Sequence, residues 1–253
     1  MGTENVGEFL YSLVRMTRSW RLLEVGLGYT TPFLAQALKD AAQDFQDDIE
    51  KFKNPRGNAL RLNELSLEYY RRSFGATLHA IDDYSIEHTS APKVLEVLKR
   101  LDLSDIVTVH EGDFRGMSGT FEDSALPFDL VWFDCGGLPE YVQFFEEYWP
   151  LINPDGGMLL LHFTYWDVAP DQKPGTPADM VMGSVANEIK RQQANAGIDA
   201  EFEVLSLIEP HKRRQGSVTM IRRTGEKSRI RDRVFSEDVK AVLGTSEKPL
   251  RQL

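Results

Sequence analysis

Three features of the sequence predict an α/β fold: strands that alternate with helices, a Gly-x-Gly turn straight after the first strand, and two late strands only ten residues apart. Alternation of this kind implies a parallel sheet covered by helices on both faces. The ten-residue gap is too short for a helical crossover, so the last two strands should pair antiparallel. The expected architecture is a doubly wound, seven-stranded, mostly parallel sheet that ends in a C-terminal antiparallel β-hairpin.

Each element has its own signal. Val6, Phe9, Leu10, Leu13, Val14 and Thr17 recur at helical spacing, which predicts a helix over 6–18. Arg21 to Val25 is a short apolar run that enters the turn Gly26-Leu27-Gly28, so it reads as a buried strand. Thr31-Pro32 opens a helix, with proline in the first turn and Phe33, Leu34, Ala37, Leu38 and Ala41 on one face. Residues 45–73 exceed what a crossover needs. They read as an insertion, with a Pro55-Arg56-Gly57 breaker, a helix over 60–74, and a role as a lid or a dimer contact through Phe52, Tyr69 and Tyr70. Strands follow at 77–81, 106–110, 128–133 and 158–163, with helices at 91–101 and about 140–149 between them. A Pro- and Gly-rich loop precedes a helix over 178–195, and the final strands fall at 201–206 and 217–222. The domain plan is therefore an N-terminal helix (1–20), one domain (21–223) with an insertion at about 43–75, and a tail (224–253) with a short helix at 236–243.

Composition narrows the function classes. With 253 residues, 42% hydrophobic and 27% charged, the chain can build a core without metal or disulfide support. Its single cysteine, Cys135, allows neither an intrachain disulfide nor a cysteine-based zinc cluster and fits a reducing compartment. No apolar run approaches the ~20 residues that cross a bilayer, so no membrane association is expected and the reading is a cytoplasmic protein. A formal net charge of −10 argues against nucleic acid as a partner. A homodimer is the default expectation for a soluble oligomer.

In an open α/β sheet, ligands bind outside the carboxyl ends of the strands. Those ends carry Glu24 to Thr31, Asp82-Asp83, Gly112-Asp113, Asp134 and His162 to Asp167. Gly26 and Gly28 let the backbone turn sharply and approach a ligand. The dinucleotide fingerprint wants a third glycine, where Thr31 stands, and Glu24 would sit badly beside a pyrophosphate. Asp82 suits two ribose hydroxyls and Asp113 an adenine amino group. The set describes an adenosine that bears a positively charged tail.

These residues resemble a known family. Leu22-Leu23-Glu24-Val25-Gly26-Leu27-Gly28-Tyr29-Thr30-Thr31 looks like motif I of class I SAM-dependent methyltransferases, in the small-molecule O-methyltransferase variant. Ala80-Ile81-Asp82-Asp83, Glu111-Gly112-Asp113-Phe114 and the run Phe128 to Asp134 resemble the next three motifs, and Leu151 to Gly157 the approach to strand five. The likeness spans about 21–223 and implies a Rossmann-like fold with S-adenosylmethionine (SAM) as methyl donor and S-adenosylhomocysteine (SAH) as product. It places Glu24, Gly26, Gly28, Thr30, Asp82, Asp83, Gly112, Asp113 and Asp134 around the cofactor, with Thr30 where relatives have a third glycine. In the magnesium-dependent branch a carboxylate after strand four and an Asp-Asn pair after strand five hold the metal. Asp134 stands at the first position, but His162-Phe163 occupies the second, and hard magnesium wants oxygen ligands. No metal is expected.

His162 and Asp134 are the candidate catalytic pair, the carboxylate holding the imidazole in one tautomer for general-base work. The bland alternative is a strand-end hydrogen bond and a helix cap. Tyr29, Tyr165 and Trp166 are the candidate acceptor-binding residues, while His79 and His110 read as structural. The expected reaction is methyl transfer to a hydroxyl or carboxyl oxygen of a small molecule. N-methylation of an amino acid or amine, or an NAD-dependent Rossmann oxidoreductase, is the alternative.

Overall fold

The computed structural model describes residues 3–53, 65–71, 75–135, 138–162, 164, 188–197, 200–212 and 216–225. The described elements are α1 (Val6–Thr17), β1 (Arg21–Val25), α2 (Thr31–Lys53), α3 (Leu67–Tyr70), β2 (Thr77–Asp82), α4 (Ala91–Arg100), β3 (Val107–Glu111), β4 (Leu130–Phe133), α5 (Leu138–Tyr148), β5 (Met158–His162), α6 (188–196), β6 (Phe202–Ile208) and β7 (Ser217–Arg223).

Seven strands form one sheet in the order β3-β2-β1-β4-β5-β7-β6. The first five are parallel, and β7 runs antiparallel to both β5 and β6, as the short gap required. The central strands β1, β4 and β5 are apolar on both faces because helices cover both: Leu22, Leu130 and Leu160 join one core cluster, and Leu23, Val131 and Leu159 the other. The first cluster takes in α1, α2 and α4; the second takes in α5 and the aromatic residues Phe114, Phe128, Phe133, Phe144 and Tyr148.

The insertion departs from expectation. Helix α2 does not stop near Ala41 but continues for 23 residues, so the acidic run Asp44 to Glu50 lies on a helix. Its far end packs Phe45 and Phe52 against Tyr69 and Tyr70, and Trp20 donates through Nε1 to the Tyr69 hydroxyl at 2.6 Å. Asp48, buried there, accepts from the Tyr70 hydroxyl and pairs with Lys51 and Arg18. Trp20 precedes β1, so this cluster sits at the amino ends of the strands, opposite the ligand side. The described parts of the insertion are thus a buttress and not a lid. Residues 54–64, most of the expected helix over 178–195 and the tail helix at 236–243 lie outside the described residues.

At the carboxyl ends of the strands, the start of α1 meets the turn that joins β6 to β7. Asn5 donates to Glu209, and Lys212 bridges Glu209 and Glu4. No described helix is long and apolar enough to cross a membrane.

Candidate active site

The strand order reverses between β1 and β4, and a cavity of about 620 Å³ opens there at the carboxyl ends. It is lined by Gly26 to Tyr29, Asp82 and Asp83, Gly112 to Arg115, and Asp134 and Cys135, among others. Gly26 adopts φ +98°, and a Cβ there would stand 2.7 Å from the Asp134 carbonyl oxygen, so only glycine fits between β1 and β4. At Gly28 the nearest atom to an added Cβ is 3.7 Å away. Its lack of a side chain is therefore not demanded by the protein's own packing.

Asp82 ties the two halves of the cavity together. Its Oδ2 accepts from the Leu27 amide at 2.7 Å and its Oδ1 from the Thr89 hydroxyl at 2.9 Å. A carboxylate has about four acceptor positions, so capacity remains for a ligand's hydroxyls. Asp83 also lines the cavity and caps a turn by accepting from the Ser85 amide and hydroxyl. Asp113 accepts from the backbone and guanidinium of Arg115, which holds its carboxyl below the usual value. Tyr29 is exposed at the rim and packs on Phe33. Thr89, Ser90, Arg115 and Glu140 also line the cavity and were not foreseen. The signal for two of them is local: Thr89-Ser90 directly precedes the Ala91-Pro92 helix start, where hydroxyl side chains gather. Thr89 reaches back to Asp82, and Ser90 donates to the Leu27 carbonyl.

Glu24 and Thr30 lie beneath the turn and do not line the cavity. Both are fully buried. Trp132 donates through Nε1 to the Thr30 hydroxyl at 3.1 Å, and that hydroxyl donates to Glu24 Oε1 at 2.6 Å. Burial, reinforced by the nearby Asp134 and Asp82 carboxylates, pushes the Glu24 carboxyl up to about 8 against smaller opposing contributions from Thr30 and Thr31.

Asp134 and His162, at the ends of β4 and β5, are brought together: Nδ1 lies 2.6 Å from Oδ1. A carboxylate only accepts, so Nδ1 carries the proton and Nε2 is the basic nitrogen. The imidazole is 4% exposed and packs against the Trp132 ring at 5.5 Å. Asp134 lines the cavity and His162 stands behind it. Tyr165 and Trp166 lie outside the described residues. His79 and His110 face one another on β2 and β3, Nδ1 to Nε2 at 2.9 Å, away from the cavity lining.

Residues 23–162, more than half of the chain, match the family described as a methyltransferase domain, and the chain belongs to that family. Its fold is shared with solved O-methyltransferases. Similar solved structures include the O-methyltransferase TomG of Streptomyces achromogenes, involved in tomaymycin synthesis and crystallised with SAM. It shares 18% identity at a TM-score of 0.57, over 87% of this chain and 80% of that one. An O-methyltransferase from Bacillus cereus in complex with SAH shares 16% identity at a TM-score of 0.58, over 86% and 80% of the two chains. No curated protein matches the chain.

Proposed function

We propose that this protein transfers a methyl group from SAM to an oxygen of a small-molecule acceptor without a metal, and that His162, oriented by Asp134, is the general base. The observation that carries the reading is the 2.6 Å contact between His162 Nδ1 and Asp134 Oδ1 beside the cofactor cavity.

The cavity's charge suits the cofactor. Five carboxylates line it (Asp82, Asp83, Asp113, Asp134 and Glu140) against one guanidinium, Arg115, which favours a ligand bearing ammonium and sulfonium over a diphosphate. Asp82 would hold the ribose, Asp113 the adenine side, and the backbone of Gly26 to Gly28 the methionine end. Bound there, SAM supplies an already activated methyl group, so the protein's task is alignment and proton removal. With Nδ1–H fixed on Asp134, Nε2 can take the proton of an acceptor hydroxyl, and Asp134 offsets the charge of the resulting imidazolium. The donor set does not suit magnesium: Asp134 is engaged by an imidazole, and β5 ends on a histidine followed in sequence by a phenylalanine where hard oxygen ligands would be needed.

The test is transfer of label from methyl-labelled SAM to a panel of phenols, carboxylic acids and amines, with and without a chelator. Expected are O-methylated products, rates unchanged by chelation, and a kcat lowered ~100-fold or more in His162→Ala. Loss of turnover on chelation with recovery on adding magnesium overturns the metal-free reading. Exclusive labelling of amines overturns the oxygen assignment.

A further inference from the structure

Glu24 is a charge carrier that the proposed chemistry does not use. It is fully buried, Oε1 accepts from Thr30, and Oε2 has no hydrogen bond. The groups facing it come from every neighbouring element. β2 presents Asp82, the end of β4 presents Asp134, the turn before α2 and its first residue present the hydroxyls of Thr30 and Thr31, and the end of β5 presents His162 beyond the Trp132 ring. Among the described residues no lysine or arginine pairs with it. A carboxyl in such surroundings is held neutral, since ionising it would place a third negative charge beside two others away from water.

Asp82 and Asp134 both line the cavity. The two anions that oppose ionisation of Glu24 are therefore the ones a bound cation would offset. Taking SAM as the cofactor, we propose that Glu24 gives up a proton to solvent when the sulfonium enters the cavity and regains it once that charge is gone, which makes Glu24 a determinant of preference for SAM over SAH. In the transfer the methyl leaves without the electrons of the carbon–sulfur bond. Sulfur keeps the pair and becomes a neutral thioether, and the acceptor oxygen's proton passes to the base. SAH then presents only its ammonium, and Glu24 is neutral again. Linkage makes the effect reciprocal: a ligand that promotes ionisation binds more tightly as pH rises through the titration.

The experiment is calorimetric titration of the intact protein and of Glu24→Gln with SAM and with SAH between pH 6.5 and 8.5, in buffers of different ionisation enthalpy. The cofactor's own amino group is common to both proteins and cancels in the comparison. If SAM lowers the titration point by about one pH unit, the preference for SAM over SAH rises up to about tenfold across this range in the wild type. It stays flat in Glu24→Gln, and the extra proton release on SAM binding disappears. The same pH dependence in both proteins overturns the proposal while leaving the cofactor assignment intact. Binding of neither ligand at any pH overturns both. An infrared difference spectrum of the wild type gives an answer that does not depend on the variant folding. A protonated-carboxyl band lost on adding SAM but not SAH supports the proposal, and an unchanged band overturns it.

Discussion

Glu24→Gln also has a consequence for stability that can be worked out before any ligand is added. The folded carboxyl titrates at about 8, against 4.5 for an ordinary glutamate. Its folded value is raised, so the stability it contributes is fully present below 4.5 and is lost as pH rises to about 8. Between those limits the unfolded chain has released the proton and the folded chain still holds it. The slope is then about −1.4 kcal/mol per pH unit. Across the whole window this comes to about 5 kcal/mol, and to about 3 kcal/mol by pH 7. Glutamine keeps the acceptor for Thr30 and cannot ionise, but it places a buried NH2 where Oε2 stood, at a constant cost of about 1–3 kcal/mol. The diagnostic is therefore the difference in slope and not the offset. Urea denaturation of both proteins at intervals from pH 5.5 to 7.5 should show the gap between them changing by about 3 kcal/mol in favour of the variant. Parallel curves would mean that Glu24 is already ionised in the folded protein, and the account of the buried acid would fail.

Three further substitutions have defined expected outcomes. Gly26→Ala should lose about 2 kcal/mol or more of stability from its left-handed backbone and the Asp134 carbonyl. Gly28→Ala should unfold close to wild type in the same urea assay yet bind SAH more weakly by calorimetry, and equal damage from both would contradict the geometry. Burial holds His79 below the usual histidine value, with His110 adding to the effect, and burial does the same to His110. Their stability contribution is present above about 6.5 and is lost as pH falls below it. His110→Gln should flatten the acid limb of the stability profile, and an unchanged limb would contradict the pairing.

The first, second and fourth strands were legible because each ends on a turn residue or an acid: Val25 on Gly26, Ile81 on Asp82, Phe133 on Asp134. The antiparallel hairpin followed from the spacing of its strands alone. The extent of α2 was not legible, because Asp44 to Glu50 is a polar stretch whose apolar stripe thins to Phe45 and Phe52. Its partners, Trp20 and Tyr70, are remote in sequence. At the site, the residue types at the strand ends were readable, but side-chain direction was not. Glu24 alternates to the covered side of β1 and meets Thr30, whereas Asp82 turns toward the cavity and meets Thr89. The pairing of His162 with Asp134 was foreseeable because both end adjacent strands, whereas the role of Trp132 as a donor to Thr30 required the register of β4 on β1.

The placement of β7 between β5 and β6 bears on how the protein is made. Until residue 217 onward has been synthesised, β5 is an edge strand of five buried residues with an unpaired row of backbone groups. A nascent chain that has completed the family-matching region through His162 still lacks Val218 beside that histidine and Glu209 to hold the start of α1. The cavity end of the molecule is therefore finished by its late-synthesised hairpin, and ribosome-bound chains short of that point would present an apolar edge.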